Sequence, residues 1–527
     1  MIGGVPTGAM QPDGDADRRP VIAVVGGGMA GLAAAWQLAE DLGSDPGAEA
    51  GGRPRVIVLE AGSRPGGKVR SAEFCGRTVD LAADAFLARR PEATGLCAEL
   101  GLDDSLVAPG AAGASLWARG RLRMMPDGLN LGVPTRWLPL ARSGILSPTG
   151  AARAAADLVL PHRADPGNST DRPVGAIVGA RLGQQVVERL VDPLIGGIHA
   201  GGVDDLSAEA IFPPLLDADR RSGSLMRAMS LPVPPAPAPG TPPPAPVFWS
   251  LDGGVARLPA ELTAALVARG VAVHTGVAVE SLDRTTGDGE AVRTWRLTLA
   301  GDASTVPGAV GASDSTRTLA VDGVVLAVPA GQASGLLAGH APEAASLLGD
   351  VSHASVSVVT LSLPTGAIRS ALVGTGFLIP RTSMIDGRPA LVTGCTYLTR
   401  KWPGLARGED ELIRLSVGRF GDDRPDALDD DELTAAAFGE LTKILDIAGP
   451  PRASMVTRWD GAFPQYRVGH MSRTARIERS VADLPGVGVA GAAYRGVGIP
   501  AVVGSGRAAA KAVLASLRPV LPSMPTP

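Results

Sequence analysis

The stretch Val21-Ile22-Ala23-Val24-Val25-Gly26-Gly27-Gly28-Met29-Ala30-Gly31 decides the architecture. Val21 to Val25 is a short apolar, β-branched run that suits a buried parallel strand. A glycine turn follows at once, and an alanine-rich helix is expected through about Leu42. Val56 to Leu59 reads as a second strand, closed by Glu60. In such a strand–turn–helix–strand unit Gly26 allows the tight turn, Gly28 lets the backbone approach a pyrophosphate, and Gly31 lets helix and sheet pack closely. Gly27, Met29 and Ala30 complete the turn, where the helix N-terminus offers unpaired N–H groups and a positive dipole end to a phosphate. Glu60 is placed to accept hydrogen bonds from ribose hydroxyls. It stands 29 residues after Gly31, against about 20 in the usual unit. The Gly/Asp/Ala-rich segment 43–54 absorbs the excess as a loop insertion. An ordinary turn in a glycine-rich chain is the competing reading. The strand before, the helix after and the acid closing the next strand favour a dinucleotide cradle.

Size and composition narrow the classes around this unit. At 527 residues the chain exceeds one ordinary core, so two or three domains are expected. Charged residues are 19% and hydrophobic ones 45%, enough to bury a large interior. A net charge of −4 and 3% aromatic residues give no case for nucleic acid as a partner. Cys75, Cys97 and Cys395 are sparse and odd in number, which fits a reducing compartment. No metal-ligand spacing occurs, so no metal is expected. Residues 1–19 are polar and Gly/Pro-rich; they read as a disordered tail and not as a signal peptide. No stretch of about 20 uncharged apolar residues suggests a membrane span. Four lysines against 45 arginines, with 69 glycines and 45 prolines, speak of a GC-rich coding sequence rather than of chemistry.

The next segment turns a dinucleotide into a flavin. Glu60-Ala61-Gly62-Ser63-Arg64-Pro65-Gly66-Gly67-Lys68-Val69 resembles the signature of FAD enzymes of the amine oxidase and protoporphyrinogen oxidase superfamily. Paired glycines let the backbone run close under a cofactor, and a cation such as Lys68 can meet its phosphates. A loop of turn formers with incidental charge is the bland alternative. Near the C-terminus, Gly486 to Ala493 is a strand running into a second glycine turn, followed by Tyr494-Arg495-Gly496-Val497-Gly498-Ile499-Pro500 and a helix from about Gly504 to Leu517. In this superfamily that turn faces the flavin end of FAD, and the resemblance implicates Gly491, Val497, Gly498 and Ile499. A helix N-terminus there favours the negative charge of reduced flavin.

Further blocks narrow the resemblance to the bacterial HemY-type porphyrinogen oxidases. They are Asp84 to Pro91 with Glu99 to Leu102, Met125 to Pro134, Val191 to Gly201, Leu206 to Ala210, Gly374 to Pro380, Gly418-Arg419-Phe420-Gly421, and Arg458-Trp459 with Phe463 to Tyr466 and Gly469-His470. They stand in family order over roughly residues 21 to 515. The chain departs from the family at Asp80-Leu81-Ala82-Ala83, where a glycine is common. The stretch 231–247 is proline-rich and reads as an extended linker. Segment 301–317 reads as a Gly/Ser/Asp/Thr insertion between strands.

The resemblance implies an α/β fold. A discontinuous, Rossmann-like FAD-binding domain (20–85, 251–330 and 483–520) would carry a mainly helical domain at 86–215, a substrate-domain segment at 216–250 and an α+β substrate domain at 331–482. The backbone of Val279 would contact the adenine side of FAD. Trp459 would stand near the flavin, a packed core tryptophan being the equal alternative.

The family's porphyrinogen substrates join four pyrroles through saturated meso carbons. Aromatisation removes six electrons and six protons, in three rounds at a two-electron flavin, with molecular oxygen as acceptor and hydrogen peroxide as product. Pyrrole N–H protons can leave to solvent, so no catalytic acid–base pair is nominated. His199, His353 and His470 read as structural. Propionates need cations, and Arg89 or Arg90 is the expected anchor, with a solvated surface pair as the alternative. Arg400 and Lys401 are weaker candidates. Three functions compete: a coproporphyrinogen III oxidase, a protoporphyrinogen IX oxidase, and a non-catalytic escort similar to Rab GDP-dissociation inhibitors. The C-terminal turn argues against the third. The expected location is cytoplasmic, with peripheral membrane contact and transient contact with the next haem-pathway enzyme as further expectations.

Overall fold

The computed structural model describes residues 20–43, 54–160, 170–221, 223–230, 246–285, 294–311 and 316–517. The expected tail 1–19, residues 44–53 of the loop insertion read at 43–54, and residues 231–245 of the proline-rich stretch read at 231–247 lie outside them.

The quoted unit forms as expected. Strand β1, Val21–Val25, is buried at every position and leads into helix α1, Met29–Gly43. Strand β2, Arg55–Glu60, lies parallel to β1. Three more parallel strands complete the sheet: β3, Ala272–Thr275, β4, Gly323–Leu326, and β5, Val487–Val489. The order is β3-β2-β1-β4-β5, so three separated stretches of chain build one sheet. Its strands are apolar on both sides because both faces are covered. Ile22, Val24, Val56 and Val58 pack towards α1 and its neighbours. Ala23, Val25, Ile57 and Leu59 pack towards a four-stranded antiparallel sheet and the helices Ala330–Leu337 and His470–Ala482.

Helix α2, Ile499–Leu517, starts five residues earlier than the sequence suggested. Pro500 sits in its first turn, where a missing N–H and a fixed φ are tolerated. The segment expected as an insertion at 301–317 carries a short strand, Val310–Gly311, that pairs with Thr316–Val321.

The second large sheet has seven strands. Its order runs Ala453–Pro464, His353–Pro364, Asp410–Val417, Val392–Tyr397, Gly376–Leu378, Ser115–Ala118, Arg121–Met124. The stretch expected to be mainly helical therefore supplies two of its strands. Alternation divides the sheet's two faces. Val359, Leu361, Ile413, Leu415 and Val417 pack under the helix Asp430–Ile444 through Leu433, Ala437 and Leu441. The opposite face carries Val356, Val358, Arg414, Ser416, Gly394, Leu378, Thr457 and Trp459, which cross-strand pairing places side by side. Among the described residues no helix is long and apolar enough to cross a membrane.

Candidate functional site

The glycine turn is built by what its residues lack. Gly26 has φ +102°, and a Cβ there would lie 2.5 Å from the Ala327 carbonyl oxygen. A Cβ on Gly31 would fall 1.9 Å from the Gly26 carbonyl oxygen, so any side chain forces the turn off the helix. Gly28 differs: nothing lies within 4 Å of its missing Cβ. The turn is thus closed behind and open in front, as backbone approach to a pyrophosphate requires. The first turn of α1, with Met29 and Ala30, holds no acidic residue to repel an anion.

Glu60 ends β2 beside this opening. Its carboxylate accepts from the Gly27 N–H and the Gly62 N–H, each at 2.7 Å. Ala61 follows it in the exposed bend. The Gly66 N–H donates to the Gly27 carbonyl at 2.8 Å, and the missing Cβ of Gly67, at φ +56°, would lie 3.1 Å from the Gly28 Cα. The second glycine pair therefore runs directly beneath the first turn. Val279, half-buried in the strand Val277–Thr285, flanks the far side of the sheet. Lys68 is turned away from the turn: its ammonium donates to the Ala462 carbonyl, and burial pushes its pKa down.

The C-terminal turn mirrors the first. Gly491 has φ +126° and nothing within 4 Å of its missing Cβ; Gly498 meets only Pro500, at 3.8 Å. Val497 and Gly498 lead straight into α2 at Ile499. Helix α2 crosses α1 so tightly that a Cβ on Gly506 would lie 2.0 Å from the Ala30 carbonyl oxygen. Both helix N-termini thereby converge on one groove. An extended dinucleotide with a phosphate at one end and an anion-forming ring at the other fits this groove.

The segment Asp80–Asp84 leads from the groove to the seven-stranded sheet. Asp84 is buried and receives the Lys401 ammonium on both oxygens at 2.9 Å, the Arg414 guanidinium at 2.9 Å and the Trp402 indole N–H at 3.2 Å. Burial pushes its pKa up, but Arg414 and Lys401 outweigh this and hold the carboxyl well below the usual carboxylate range. Arg414 also donates to the Asp80 and Ala82 carbonyls, and the Trp459 indole donates to the Leu81 carbonyl at 3.2 Å. Sequence reading missed this cluster; only the charge of Lys401 and the motif at Asp84 hinted at it. Lys401 is committed to Asp84, whereas Arg400 is exposed.

Beyond Asp84 the short strand Phe86–Leu87 pairs with Phe248–Leu251. Arg89 and Arg90 follow, both exposed. Arg90 pairs with Glu92 at 3.0 Å. The helix Asp192–His199 closes the opposite side, with Gly197 set against Leu378 of the sheet.

Burial pushes the His199 imidazole down to about 4. Burial does the same for His470, also to about 4, although its Nε2 donates to the Tyr494 carbonyl at 2.7 Å. His353 is lowered too, by burial and by nearby Lys68. The Tyr466 hydroxyl donates to the Ala492 carbonyl at 2.5 Å and accepts from the Gly496 N–H at 2.8 Å, pinning the second glycine turn. Among the described residues no cluster of three metal-binding side chains occurs.

Two glycine turns, each joining a strand of one parallel sheet to a helix N-terminus, define a dinucleotide-binding fold. Comparison with known proteins agrees. The family model for flavin-containing amine oxidoreductases matches residues 29–514, and the chain belongs to that family. Its cofactor is FAD. The chain is 31% identical to the coproporphyrinogen III oxidase of Bacillus subtilis, covering 95% of this chain and 99% of the relative. It is 34% identical to the coproporphyrinogen III oxidase of Propionibacterium freudenreichii, covering 98% and 95%. A solved structure from Exiguobacterium sp. 255-15 superposes with a TM-score of 0.77 at 28% identity, covering 94% of this chain and 98% of that one.

Proposed function

We propose that this chain oxidises coproporphyrinogen III to coproporphyrin III in haem biosynthesis, removing six electrons in three rounds. Molecular oxygen is the acceptor, and three molecules of it leave as three of hydrogen peroxide. The observation that carries this reading is the full-length likeness to coproporphyrinogen III oxidases, over a chain whose open sheet face adjoins the flavin groove. When bound, FAD supplies the two-electron hydride acceptor. Everything else falls to the protein.

On this reading the Gly26–Gly31 turn, with the N-terminus of α1 at Met29 and Ala30, holds the pyrophosphate, and Glu60 and Ala61 meet the ribose. Gly67 and the backbone of Lys68 flank the cofactor, and Val279 borders the adenine. Gly491, Val497, Gly498 and Ile499 face the flavin end, where the α2 N-terminus favours negative charge on the reduced ring. Trp459, Val356 and Leu378 form a flat floor that orients a flat substrate and excludes water. His199 and His470 are neutral at pH 7 because burial lowers both, so neither is an imidazolium acid, and pyrrole protons leave to solvent. The same reading divides the chain at residues 85, 215, 250, 330 and 482 into cofactor, helical and substrate parts. It expects a cytoplasmic enzyme that touches the membrane at most at its periphery and hands product to the next haem-pathway enzyme.

The test is direct. Purified, flavin-loaded protein is given coproporphyrinogen III and protoporphyrinogen IX under air, and porphyrin and peroxide are followed together. The expected result is a higher kcat/KM for coproporphyrinogen III, with about three peroxides per porphyrin. A preference for protoporphyrinogen IX transfers the reading to that substrate. Oxidation of neither overturns it.

A further inference from the structure

We propose that Arg419, seconded by Arg381, is a carboxylate-binding site at the far end of the cleft floor, and that it receives a propionate of the substrate. The proposal rests on the porphyrinogen reading above and adds a site to it.

The block Gly418-Arg419-Phe420-Gly421 stood out in the sequence, yet neither the flavin groove nor the Asp84 cluster uses it. Its position follows from the sheet. Trp459 pairs with Val356, and Gly418 continues the next strand; a Cβ on Gly418 would lie 3.2 Å from the Ser355 carbonyl oxygen and 3.5 Å from the Val356 Cα. Two strand spacings thus separate Gly418 from Trp459, roughly 10 Å. Gly418 has φ +91°, which turns the chain out of the strand and leaves Arg419 at the floor's end. Phe420 then donates its N–H to the Ala200 carbonyl at 2.6 Å, directly after the helix that closes the cleft.

The charges around Arg419 do not balance it. The groups that face it are Arg381, Arg424, Asp192 and Asp422. Asp422 is held by Arg424 through two bonds of 2.7 Å. Asp192 takes Arg381 at 3.1 Å and the Val203 N–H at 3.2 Å. Each anion is already committed, and Arg419 is the cation left over. Its Nε and Nη2 are shielded from water and donate to no acceptor among the described residues. Burial, and then the neighbouring Arg381, push its pKa down.

A half-buried guanidinium with two unpartnered nitrogens is costly to keep and gains from an incoming anion. Its planar fork matches a carboxylate. Arg381 is aimed at the same place: its guanidinium occupies the space a side chain would fill at Gly202, 2.3 Å from the missing Cβ, and is partly exposed. A tetrapyrrole lying on the floor against Trp459 carries its carboxylates at its rim, where these arginines stand.

The experiment uses the FAD-loaded enzyme and two probes of one shape, coproporphyrin III and its tetramethyl ester, in one detergent buffer. Binding is read by fluorescence quenching for the wild type, Arg419→Gln and Arg419→Lys. The free acid is expected to lose about tenfold or more in affinity to Arg419→Gln, while the ester stays within about twofold. Arg419→Lys is expected to fall between, keeping the charge without the fork. In turnover, KM for coproporphyrinogen III rises far more than kcat falls. Unchanged affinity for the acid, or equal losses for acid and ester, overturns the site. Should Arg419→Gln fail to fold, Arg419→Lys alone decides by the same acid-to-ester difference. A wild type that binds neither probe overturns the porphyrinogen reading and this site with it. A wild type that binds both, with no acid-specific loss in the variants, overturns this site alone.

Discussion

The glycine turn at 26–31 and the wall segment at 80–90 flank the same cleft but are held by opposite means. The turn is shaped by absent side chains: a Cβ on Gly26, Gly31 or Gly506 would run into a backbone carbonyl. The wall is shaped by charge: one buried carboxylate, Asp84, gathers an arginine, a lysine and an indole from another part of the chain. A dinucleotide offers every such protein the same pyrophosphate, which backbone N–H groups suffice to read. A substrate cleft must instead join two sheets at a fixed distance, and here an ion cluster does so. The first solution is announced by a local glycine spacing, although Gly26 and Gly506 each meet a carbonyl far along the chain. The second joins residues 330 apart.

The comparison breaks most easily at the turn. Gly31→Ala is expected to lose at least about 5 kcal/mol, because the clash is with backbone and cannot be relieved by a rotamer change. Little folded, yellow protein should be recovered. Gly28→Ala is its counterpart: its Cβ enters open space, so the flavin-free protein should melt like the wild type yet retain little FAD. Thermal melts without flavin, paired with flavin content, separate the two. A Gly31→Ala protein that loads FAD normally would refute the closed back of the turn. A Gly28→Ala protein that did so would refute pyrophosphate approach at its front.

How far each region could be read in advance follows from the same contrast. Gly26, Gly28, Gly31 and Glu60 announced themselves by spacing, and the parallel sheet followed from the apolar runs at 21–25 and 56–59. The start of α2 was placed too late because Pro500 was read as part of the loop, although proline suits a helix's first turn. The strands at 115–124 were hidden inside a stretch of helical pattern because each is only four residues long; they pair with each other as a hairpin, and only Gly376–Leu378, far along the chain, ties that hairpin to the sheet. The role of Arg414 was invisible: a lone arginine in an apolar strand reads as a sheet-surface residue until Asp84 is seen beside it. Lys401 was taken as a weak substrate cation, and its commitment to Asp84 is a tertiary fact.

The wall is the next place to press. Asp84→Ala leaves Arg414 and Lys401 without their anion in a buried site, and such a break costs about 3–5 kcal/mol. The pH dependence has a definite sign. The folded carboxyl is held below the usual range, so its contribution is present in full above the unfolded value of about 3.9 and is lost as pH falls through the folded value. The stability gap between wild type and Asp84→Asn should be constant from pH 8 to 5 and narrow below about pH 4. Chemical denaturation across that range checks it. A gap that already shrinks between pH 7 and 5 would mean that another group carries the effect.

The smallest expected effect distinguishes two neighbours on the wall's outer end. We propose Arg89 and Arg90 as candidate anchors for a substrate carboxylate, and the structure separates their starting states. Arg90 is exposed and already paired with Glu92 at 3.0 Å; a carboxylate must compete with that partner. Arg89 is exposed and has no ion-pair partner among the described residues. Exposed ion pairs contribute about 0.2–1 kcal/mol, which sets the ceiling for either residue at about a fivefold change. Arg89→Ala is expected to raise KM for coproporphyrinogen III about two- to fivefold with little change in kcat, since an anchor at the rim is held alike in ground and transition states. Arg90→Ala should change KM less, because the Arg90 charge is already taken up by Glu92 and offers a substrate carboxylate less. The larger KM change in Arg89→Ala should fade in high salt, because an exposed pair is screened over about 8 Å already at 0.15 M. Steady-state kinetics at low and high ionic strength measure this. A larger effect in Arg90→Ala would make Arg90 the anchor and Glu92 its gate, while no effect in either would leave the wall with its hold on the floor and no part in carboxylate binding.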